Sequence, residues 1–155
     1  MEKFSALLEN IRSLYNVGSV FRTADGAGFG HLYLCGFTGY PPRKEITKTS
    51  LGAETSVTWT YRHDSLDMVK ELKNAGIFLI GLERNPTSIL INDAISQNLI
   101  KTPLCLILGN EVTGVSPKVL EMCDINLSIS MSGIKESLNV SVAFGVASYF
   151  LKHGV

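Results

Sequence analysis

The chain has 155 residues, of which 45% are hydrophobic and 18% charged, and its 14 basic and 14 acidic residues balance to a formal net charge of zero. This composition excludes an intrinsically disordered chain, and the length predicts a single domain over residues 1–155. Zero net charge excludes a general attraction to nucleic acid, so such a partner needs a local basic patch. Arg43, Lys44 and Lys48 are the best candidates for that patch.

Cysteine content and hydropathy indicate the cellular compartment of the protein. The chain has three cysteines, which lie in apolar segments without a CxxC pair, and we expect buried free thiols. No apolar run reaches the roughly 18 residues that span a bilayer, and acidic residues interrupt the N-terminal apolar stretch. We therefore expect a cytoplasmic protein with no membrane partner. The three histidines are scattered, so no metal site is expected.

The first predicted elements are a strand at Ser5–Ile11 and a helix beginning near Asn16. Asn16 is the expected N-cap, because apolar residues then recur at helical spacing: Val17, Val20, Phe21 and Ala24. The glycine run Gly26–Gly30 ends this helix, and His31–Gly36 is the second predicted strand. A dinucleotide-binding fingerprint follows a strand and opens a helix, so this glycine run is not one.

The middle of the chain begins with a long loop, from Phe37 to Glu54, which has room for a short helix. A strand at Val57–Tyr61 precedes a helix that is capped by Asp64 and ended by Gly76. The buried stripe of that helix is predicted from its spacing to be Leu66, Val69 and Leu72. The next predicted strand is Ile77–Leu82.

The C-terminal part begins with a polar connection from Glu83 to about Lys101. Leu104–Leu108 is wholly apolar, which is typical of a parallel strand buried on both faces. Ser116 and Pro117 then open a short helix as N-cap and first helical residue. A strand at Ile125–Ser130 and a final helix at Val140–Leu151 complete the series. The alternation predicts an α/β fold, a parallel sheet with helices on both faces.

Ligands in such sheets bind at the carboxyl ends of the strands. This rule selects three loops: the one after Leu82, the GNEVTG loop at Gly109–Gly114, and the polar run Ser132–Asn139. Glycines allow the backbone to approach a ligand closely, and the polar run is held between a strand and a helix. The chain has no GxSxG motif and no neighbouring Ser, His and Asp, which argues against hydrolase chemistry.

Three motifs in these regions resemble the SpoU (TrmH-like) branch of the SPOUT RNA methyltransferases. They are NIRSLYNVGSVFRTADGAGFG from Asn10, LILGNEVTGVSPKVLEMCD from Leu106 and ISMSGIKESLNVSVAFGVASYFL from Ile129. The resemblance implies a sheet whose C-terminal part forms a deep trefoil knot, and a homodimer with active sites near the subunit interface. It also implies S-adenosyl-L-methionine as methyl donor and a ribose 2′-hydroxyl of RNA as acceptor.

The resemblance assigns roles to five residues. Arg22 would either accept the hydroxyl proton or clamp a phosphate and stabilise the developing alkoxide, and the second role suits a group that has no acceptor. Asn16 would orient Arg22 or the substrate while also serving as an N-cap. Glu111 would engage the substrate or the arginine, unless it is a turn carboxylate bound to backbone amides. Ser137 and Asn139 would organise the site and approach Arg22.

The resemblance also places the donor and the second subunit. Backbone groups at five positions would hold the donor: Leu82, Gly109, Ile129, Met131 and Leu138. Small residues in the last helix suit either a dimer interface or packing within the core: Ala143, Gly145, Ala147 and Ser148. Without a separate RNA-binding domain, RNA would bind to the domain surface, to the second subunit or with an accessory protein. By analogy with other minimal members, tRNA is preferred to ribosomal RNA.

Two rival functions share this fold. A catalytically idle RNA-binding or scaffold protein could keep the fold without the reaction, but the retained Arg22, Glu111, Ser137 and Asn139 argue against it. A related knotted enzyme could methylate a base instead, and the Ser137–Asn139 motif together with Arg22 argues for ribose methylation.

Overall fold

Seven strands pair in parallel to form one sheet in the computed structural model, which describes residues 1–155. Their order across the sheet is β3-β2-β1-β6-β4-β7-β5. The bounds are β1 Phe4–Glu9, β2 His31–Cys35, β3 Thr58–Arg62, β4 Phe78–Leu82, β5 Ile89–Leu90, β6 Leu104–Leu108 and β7 Ile125–Ser128. Because all seven strands run the same way, their carboxyl ends share one edge.

Six α-helices connect the strands. They are α1 Leu14–Ala27, α2 Lys44–Ser50, α3 Ser65–Asn74, α4 Ile91–Ser96, α5 Pro117–Met122 and α6 Val140–Gly154, and a short 3-10 turn covers Ala53–Thr55. None of these helices combines the length and the apolar character that crossing a membrane requires.

The hydrophobic core lies on both faces of the central strands. β1 and β6 are completely buried, and alternate residues of each strand contribute to opposite faces. One face packs against α1, α2, α4 and α6, whereas the other packs against α3 and α5. Each buried leucine or phenylalanine side chain stabilises the fold by about 1.5–3 kcal/mol. The predicted parallel sheet with helices on both faces is confirmed.

The first helix begins three residues earlier than the sequence predicted. Ser13 is the N-cap, and its hydroxyl oxygen accepts a hydrogen bond from the Asn16 backbone N–H at 3.2 Å. Asn16 is therefore the third helical residue, and its prediction as N-cap was wrong. The apolar periodicity begins only at Val17, because the first turn is partly solvent-exposed. Freed from capping, the Asn16 side chain can make other contacts.

The connection from Glu83 to Lys101 also differs between the sequence prediction and the structure. It contains β5 and α4, which the sequence analysis described only as a polar connection. β5 has two residues and α4 has six, so neither is long enough to show a period. The long loop after β2 does contain a short helix, α2, and Asp64 caps α3 by accepting a hydrogen bond from the Asp67 N–H at 3.0 Å.

The three cysteines are free thiols, as predicted. Cys35 and Cys105 are buried, and Cys123 is half-buried. Burial disfavours the charged thiolate and raises the pKa of each thiol to about 12. These cysteines therefore serve as packing groups rather than as nucleophiles.

Gly18 sets the close crossing of α1 and α2. It is buried, and a Cβ atom there would overlap the Thr49 hydroxyl and the Ile46 carbonyl oxygen of α2. The Thr49 hydroxyl also donates to the Tyr15 carbonyl oxygen at 2.8 Å, which joins the two helices. Only glycine fits this contact without separating α2 from α1.

We predict that Gly18→Ala lowers the free energy of unfolding by about 2 kcal/mol, because overpacking outweighs the roughly 1 kcal/mol helix preference of alanine. Gly26→Ala is the matched control in the same helix, since only the movable Tyr149 hydroxyl lies near that position. The control should be neutral or slightly stabilising. Equal urea midpoints for the two variants would contradict this account of the crossing.

Candidate active site

The loops after β4, β6 and β7 enclose a cavity of about 280 Å³ at the carboxyl edge of the sheet. The three loops selected from the sequence therefore do meet. All five positions expected to hold the donor line this cavity: Leu82, Gly109, Ile129, Met131 and Leu138. Three of the five other predicted site residues also line it: Glu111, Ser137 and Asn139.

The loop after β6 is folded tightly upon itself. The Asn110 side-chain oxygen accepts hydrogen bonds from the N–H groups of Val112 and Thr113 at 2.9 and 3.0 Å. The backbones of Asn110 and Gly114 also exchange two hydrogen bonds. A Cβ atom at Gly109 would overlap the Gly114 backbone, so a larger residue would open the loop. Gly109 thus allows the loop to fold back on itself beside the cavity.

Glu83 joins the loop after β4 to the loop after β6. Its carboxylate accepts a hydrogen bond from the Val115 N–H at 2.8 Å and lies against Gly114. The sequence analysis missed this residue, because a single acid in a polar connection carries no local signal. Together with Arg84, Glu83 also lines the cavity.

Glu9 is a buried carboxylate beneath the same edge. It ends β1 with only 2% of its surface exposed, and it accepts hydrogen bonds from the Ser65 hydroxyl at 2.6 Å and from Ser116. The Ser116 N–H donates at 2.8 Å and its hydroxyl donates at 2.6 Å. Glu9 therefore fixes the starts of α3 and α5 against β1. An acid that closes an otherwise apolar strand was the available signal, and the sequence analysis did not use it.

Glu111 attaches the loop after β6 to the start of α1. Its carboxylate accepts hydrogen bonds from the Arg12 N–H at 3.0 Å, from the Ser13 N–H at 3.1 Å and from the Asn16 amide at 3.5 Å. Of the two predicted alternatives, the structure shows the carboxylate bound to backbone amides. Burial alone raises the pKa of Glu111, but these hydrogen bonds to the charged form hold it below its usual value.

Asn139 brings the final loop to the same place. It is the N-cap of α6, and its side-chain oxygen accepts hydrogen bonds from the Ser141 N–H at 2.9 Å and from the Ser141 hydroxyl at 2.6 Å. Its amide donates to the Asn16 side-chain oxygen at 3.3 Å. Ser137 is exposed on the cavity wall two residues earlier. Asn16, Glu111 and Asn139 thus form one hydrogen-bonded group.

Arg22 stands apart from this group. It is exposed on α1 and does not line the cavity, and its side chain makes no hydrogen bond or ion pair with other residues of the chain. It lies six positions after Asn16, about 240° around the helix, and so occupies a different face. Neither Ser137 nor Asn139 forms a hydrogen bond with Arg22 within one copy of the chain, and the expected approach of these residues to Arg22 stays a prediction.

Sequence comparison relates the chain to RNA-modifying enzymes. Residues 3–149 match the sequence model of the SpoU rRNA Methylase family. The tRNA (guanosine(18)-2'-O)-methyltransferase of Aquifex aeolicus is 28% identical over 145 residues, which cover 91% of this chain and 64% of that enzyme. The chain therefore spans less than two thirds of the length of this relative.

Comparison of structures gives the same relation. The SpoU methyltransferase AviRb from Streptomyces viridochromogenes, crystallised in complex with the cofactor AdoMet, is similar with a TM-score of 0.83 and 25% identity, over 99% of this chain and 61% of that one. A structure concerned with the 2-OH methylation of C/U34 on tRNA is similar with a TM-score of 0.81 and 25% identity, over 96% of this chain and 93% of that one.

We predict that Glu111→Gln destabilises the protein at pH 7 by about 1 kcal/mol, the size expected for a charge lost from a helix N-terminus. The folded-state pKa of Glu111 is lowered, so its stabilising contribution is present above the unfolded pKa and is lost as the pH falls through the folded pKa. Urea unfolding of both proteins from pH 7 to pH 2 should show a difference that begins to shrink below about pH 4.5 and is lost below the lowered folded-state pKa. A difference that stays constant over this whole range would mean that the charge is not its source.

Proposed function

The chain belongs to the SpoU rRNA Methylase family, and we propose that it transfers the methyl group of S-adenosyl-L-methionine to a ribose 2′-hydroxyl of RNA. The observation that carries this proposal is the cavity at the carboxyl edge, where the loops of the second and third motifs meet. Five positions inferred from sequence as donor contacts line that one cavity. Relatives in the family are named as 2′-O-methyltransferases of tRNA and of ribosomal RNA, so the substrates named for them share the class RNA.

The cavity suits S-adenosyl-L-methionine in shape and charge. Leu82, Leu127 and Leu138 give apolar contacts for a flat adenine ring, and Gly109 lies beside them in the lining of the cavity. The lining includes three carboxylates, Glu83, Glu111 and Glu136, against one cation, Arg84. A negative lining favours a donor whose sulfonium and amino groups are positive. When bound, the donor supplies an electrophilic methyl group.

The chain's own contribution is alignment of the attacking hydroxyl. We propose that Ser137 and the hydrogen-bonded pair Asn16 and Asn139 hold the target ribose beside the cavity. Arg22 would clamp a neighbouring phosphate and stabilise charge on the 2′-oxygen as its proton leaves. A guanidinium has five N–H donors and no acceptor, and this favours the clamp over the role of proton acceptor.

Arg22 does not line the cavity of its own chain. In a homodimer, Arg22 of one copy would lie at the cavity of the other copy. α6 carries three large apolar side chains that are 44–50% exposed and available for an interface: Val142, Tyr149 and Phe150. The small residues of α6 do not all pack within the core. Ala147 and Ser148 are buried within the chain, whereas Ala143 and Gly145 are half-exposed, Ala143 on the wall of the cavity and Gly145 beside Thr23 of α1. We propose that α1 and α6 form the dimer interface.

Four further features complete the proposal. β7 inserts between β4 and β5, which precede it in sequence, and this order supports a threaded C-terminal knot.

tRNA is the preferred substrate, because the similar protein of matching length is concerned with tRNA methylation. We propose that residues 1–155 act as one domain in the cytoplasm, consistent with three free thiols. An accessory protein could contribute further RNA contacts.

The direct test is to incubate the protein with methyl-labelled donor and unmodified tRNA or ribosomal RNA, and then to map the product. We predict label in tRNA as a 2′-O-methyl nucleoside, because the donor cavity and the hydroxyl-binding groups meet at one edge. Label on a base would identify the chain as a base methyltransferase. Donor binding without transfer to any RNA would favour the idle scaffold.

Arg22→Ala should reduce kcat about a hundredfold or more and leave donor affinity unchanged, because the proposed contacts of Arg22 are with an RNA phosphate and the 2′-oxygen and not with the donor. Arg22→Lys should recover part of the activity, since it keeps the charge but loses the planar fork. Lys70→Ala removes an exposed cation on α3 and is the matched control. Single-turnover rates and equilibrium dialysis measure the two quantities. Turnover by Arg22→Ala close to that of the control would exclude the clamp.

A further inference from the structure

A group of aromatic side chains lies beside the segment that links β2 to α2. Tyr40 stacks on Trp59 with ring centroids 5.8 Å apart and an interplanar angle of 28°. The rings of Tyr40 and Tyr61 are 4.5 Å apart at 38°. We name Tyr40, Trp59 and Tyr61 the aromatic platform. Tyr40 is 44% exposed, and Phe37, three residues earlier, is 62% exposed, so flat apolar faces are open to solvent at this edge.

The segment that carries the aromatic platform is held firmly. The Tyr61 hydroxyl donates to the Gly36 carbonyl oxygen at 2.8 Å. Thr38 is buried, and its hydroxyl donates to the Leu8 carbonyl oxygen at 3.0 Å while accepting from the Ile11 N–H at 3.0 Å. These bonds fix the segment to the end of β1. The backbone that carries the exposed rings is therefore fixed and loses little entropy when a ligand binds.

The aromatic platform is also connected to the donor cavity. The Phe37 N–H donates to the Asn10 side-chain oxygen at 3.1 Å, and the Asn10 carbonyl oxygen accepts from the Asn110 amide at 2.8 Å. Asn110 lines the cavity. Two hydrogen bonds thus set the distance from the rings to the site of methyl transfer. Trp59 and Tyr61 lie on β3, which is separated from β6 by β2 and β1, a span of about 14 Å.

Basic side chains follow the aromatic platform directly. Arg43 precedes α2, and Lys44 and Lys48 lie four residues apart on one exposed side of that helix. Neither lysine forms an ion pair, and the Arg43 Nε atom lies 4.0 Å from Glu45, at the limit of an ion pair. These three cations are the local basic patch that a chain of zero net charge needs in order to bind a polyanion.

We infer that the aromatic platform and this basic patch bind unpaired nucleotides of the RNA that flank the methylated ribose. The inference rests on the proposed function, and it names the surface that holds the substrate outside the donor cavity. Bases stack on exposed aromatic faces, and their phosphates pair with nearby cations. A symmetric contact between two copies would instead oppose the lysines of one copy to those of the other, and like charges repel.

The test measures binding of an unmodified tRNA transcript by fluorescence anisotropy without donor. Tyr40→Ala should weaken binding about tenfold, whereas Tyr40→Phe keeps the ring and should stay within about twofold of the parent protein. Lys44→Ala with Lys48→Ala should reduce the slope of log K against log salt by about 1.4. The matched control replaces Lys70 and Lys101, which are exposed and without ion pairs.

Phe37→Ala provides a second variant that does not disturb the stacked rings, and it should weaken RNA binding severalfold. If Tyr40→Ala and Phe37→Ala both bind the tRNA transcript with the affinity of the control variant, the inference is overturned. Loss of the dimer in Tyr40→Ala, measured by light scattering, would overturn it as well, because the surface would then be a contact between copies.

Methyl transfer separates this inference from the proposed function. With saturating RNA, kcat of Tyr40→Ala should stay within about twofold of the parent value while KM rises with the loss of binding. If no RNA accepts methyl groups but binding still depends on Tyr40, the enzymatic proposal fails and the RNA surface stands. If RNA is methylated and the replacement of Tyr40 does not change RNA binding, the inferred RNA-binding surface is wrong and the proposed enzymatic function stands.

Discussion

The contact of the Glu111 carboxylate with the first backbone amides of α1 is the interaction on which the site depends. It joins residues about one hundred positions apart, Arg12 and Ser13 at one end and Glu111 at the other. The N-terminus of a helix carries unpaired N–H groups and a partial positive charge, so a carboxylate is its natural partner. With Glu111 in place, Asn16 reaches Asn139, and the loops of all three motifs converge.

Two other carboxylates act in a similar way beneath the edge. Glu83 binds the Val115 N–H, and Glu9 binds Ser65 and Ser116. Each acid ties a loop or a helix start to a different strand end, so irregular backbone is held as firmly as regular structure. The proposed methyl transfer relies on alignment rather than on a strong base and would need this rigidity, because small displacements of reacting groups slow such a reaction.

The local pattern of apolar residues correctly predicted the parallel sheet and the position of the cavity at its carboxyl edge. The wholly apolar Leu104–Leu108 is a central buried strand, and the three loops chosen by the strand-end rule do enclose one cavity. Short-range periodicity failed where elements were too short, as in α4, or where a helix began with exposed residues, as before Asn16. Glu9 and Glu83 were missed for another reason. Their partners are distant in sequence, and only the folded chain brings them together.

Motif resemblance assigned Arg22 to the site, but its side chain is exposed on α1 and does not line the cavity of its own chain. We propose that Arg22 of one copy of the chain acts at the donor cavity of the other copy. Mixing Arg22→Ala protein with Gly109→Val protein, which has a disrupted cavity loop, tests that claim most directly. If the site is shared, re-formed heterodimers contain one intact site and should recover about a quarter of the parent methylation rate. A mixture as inactive as its two components would show that each site is built within a single chain.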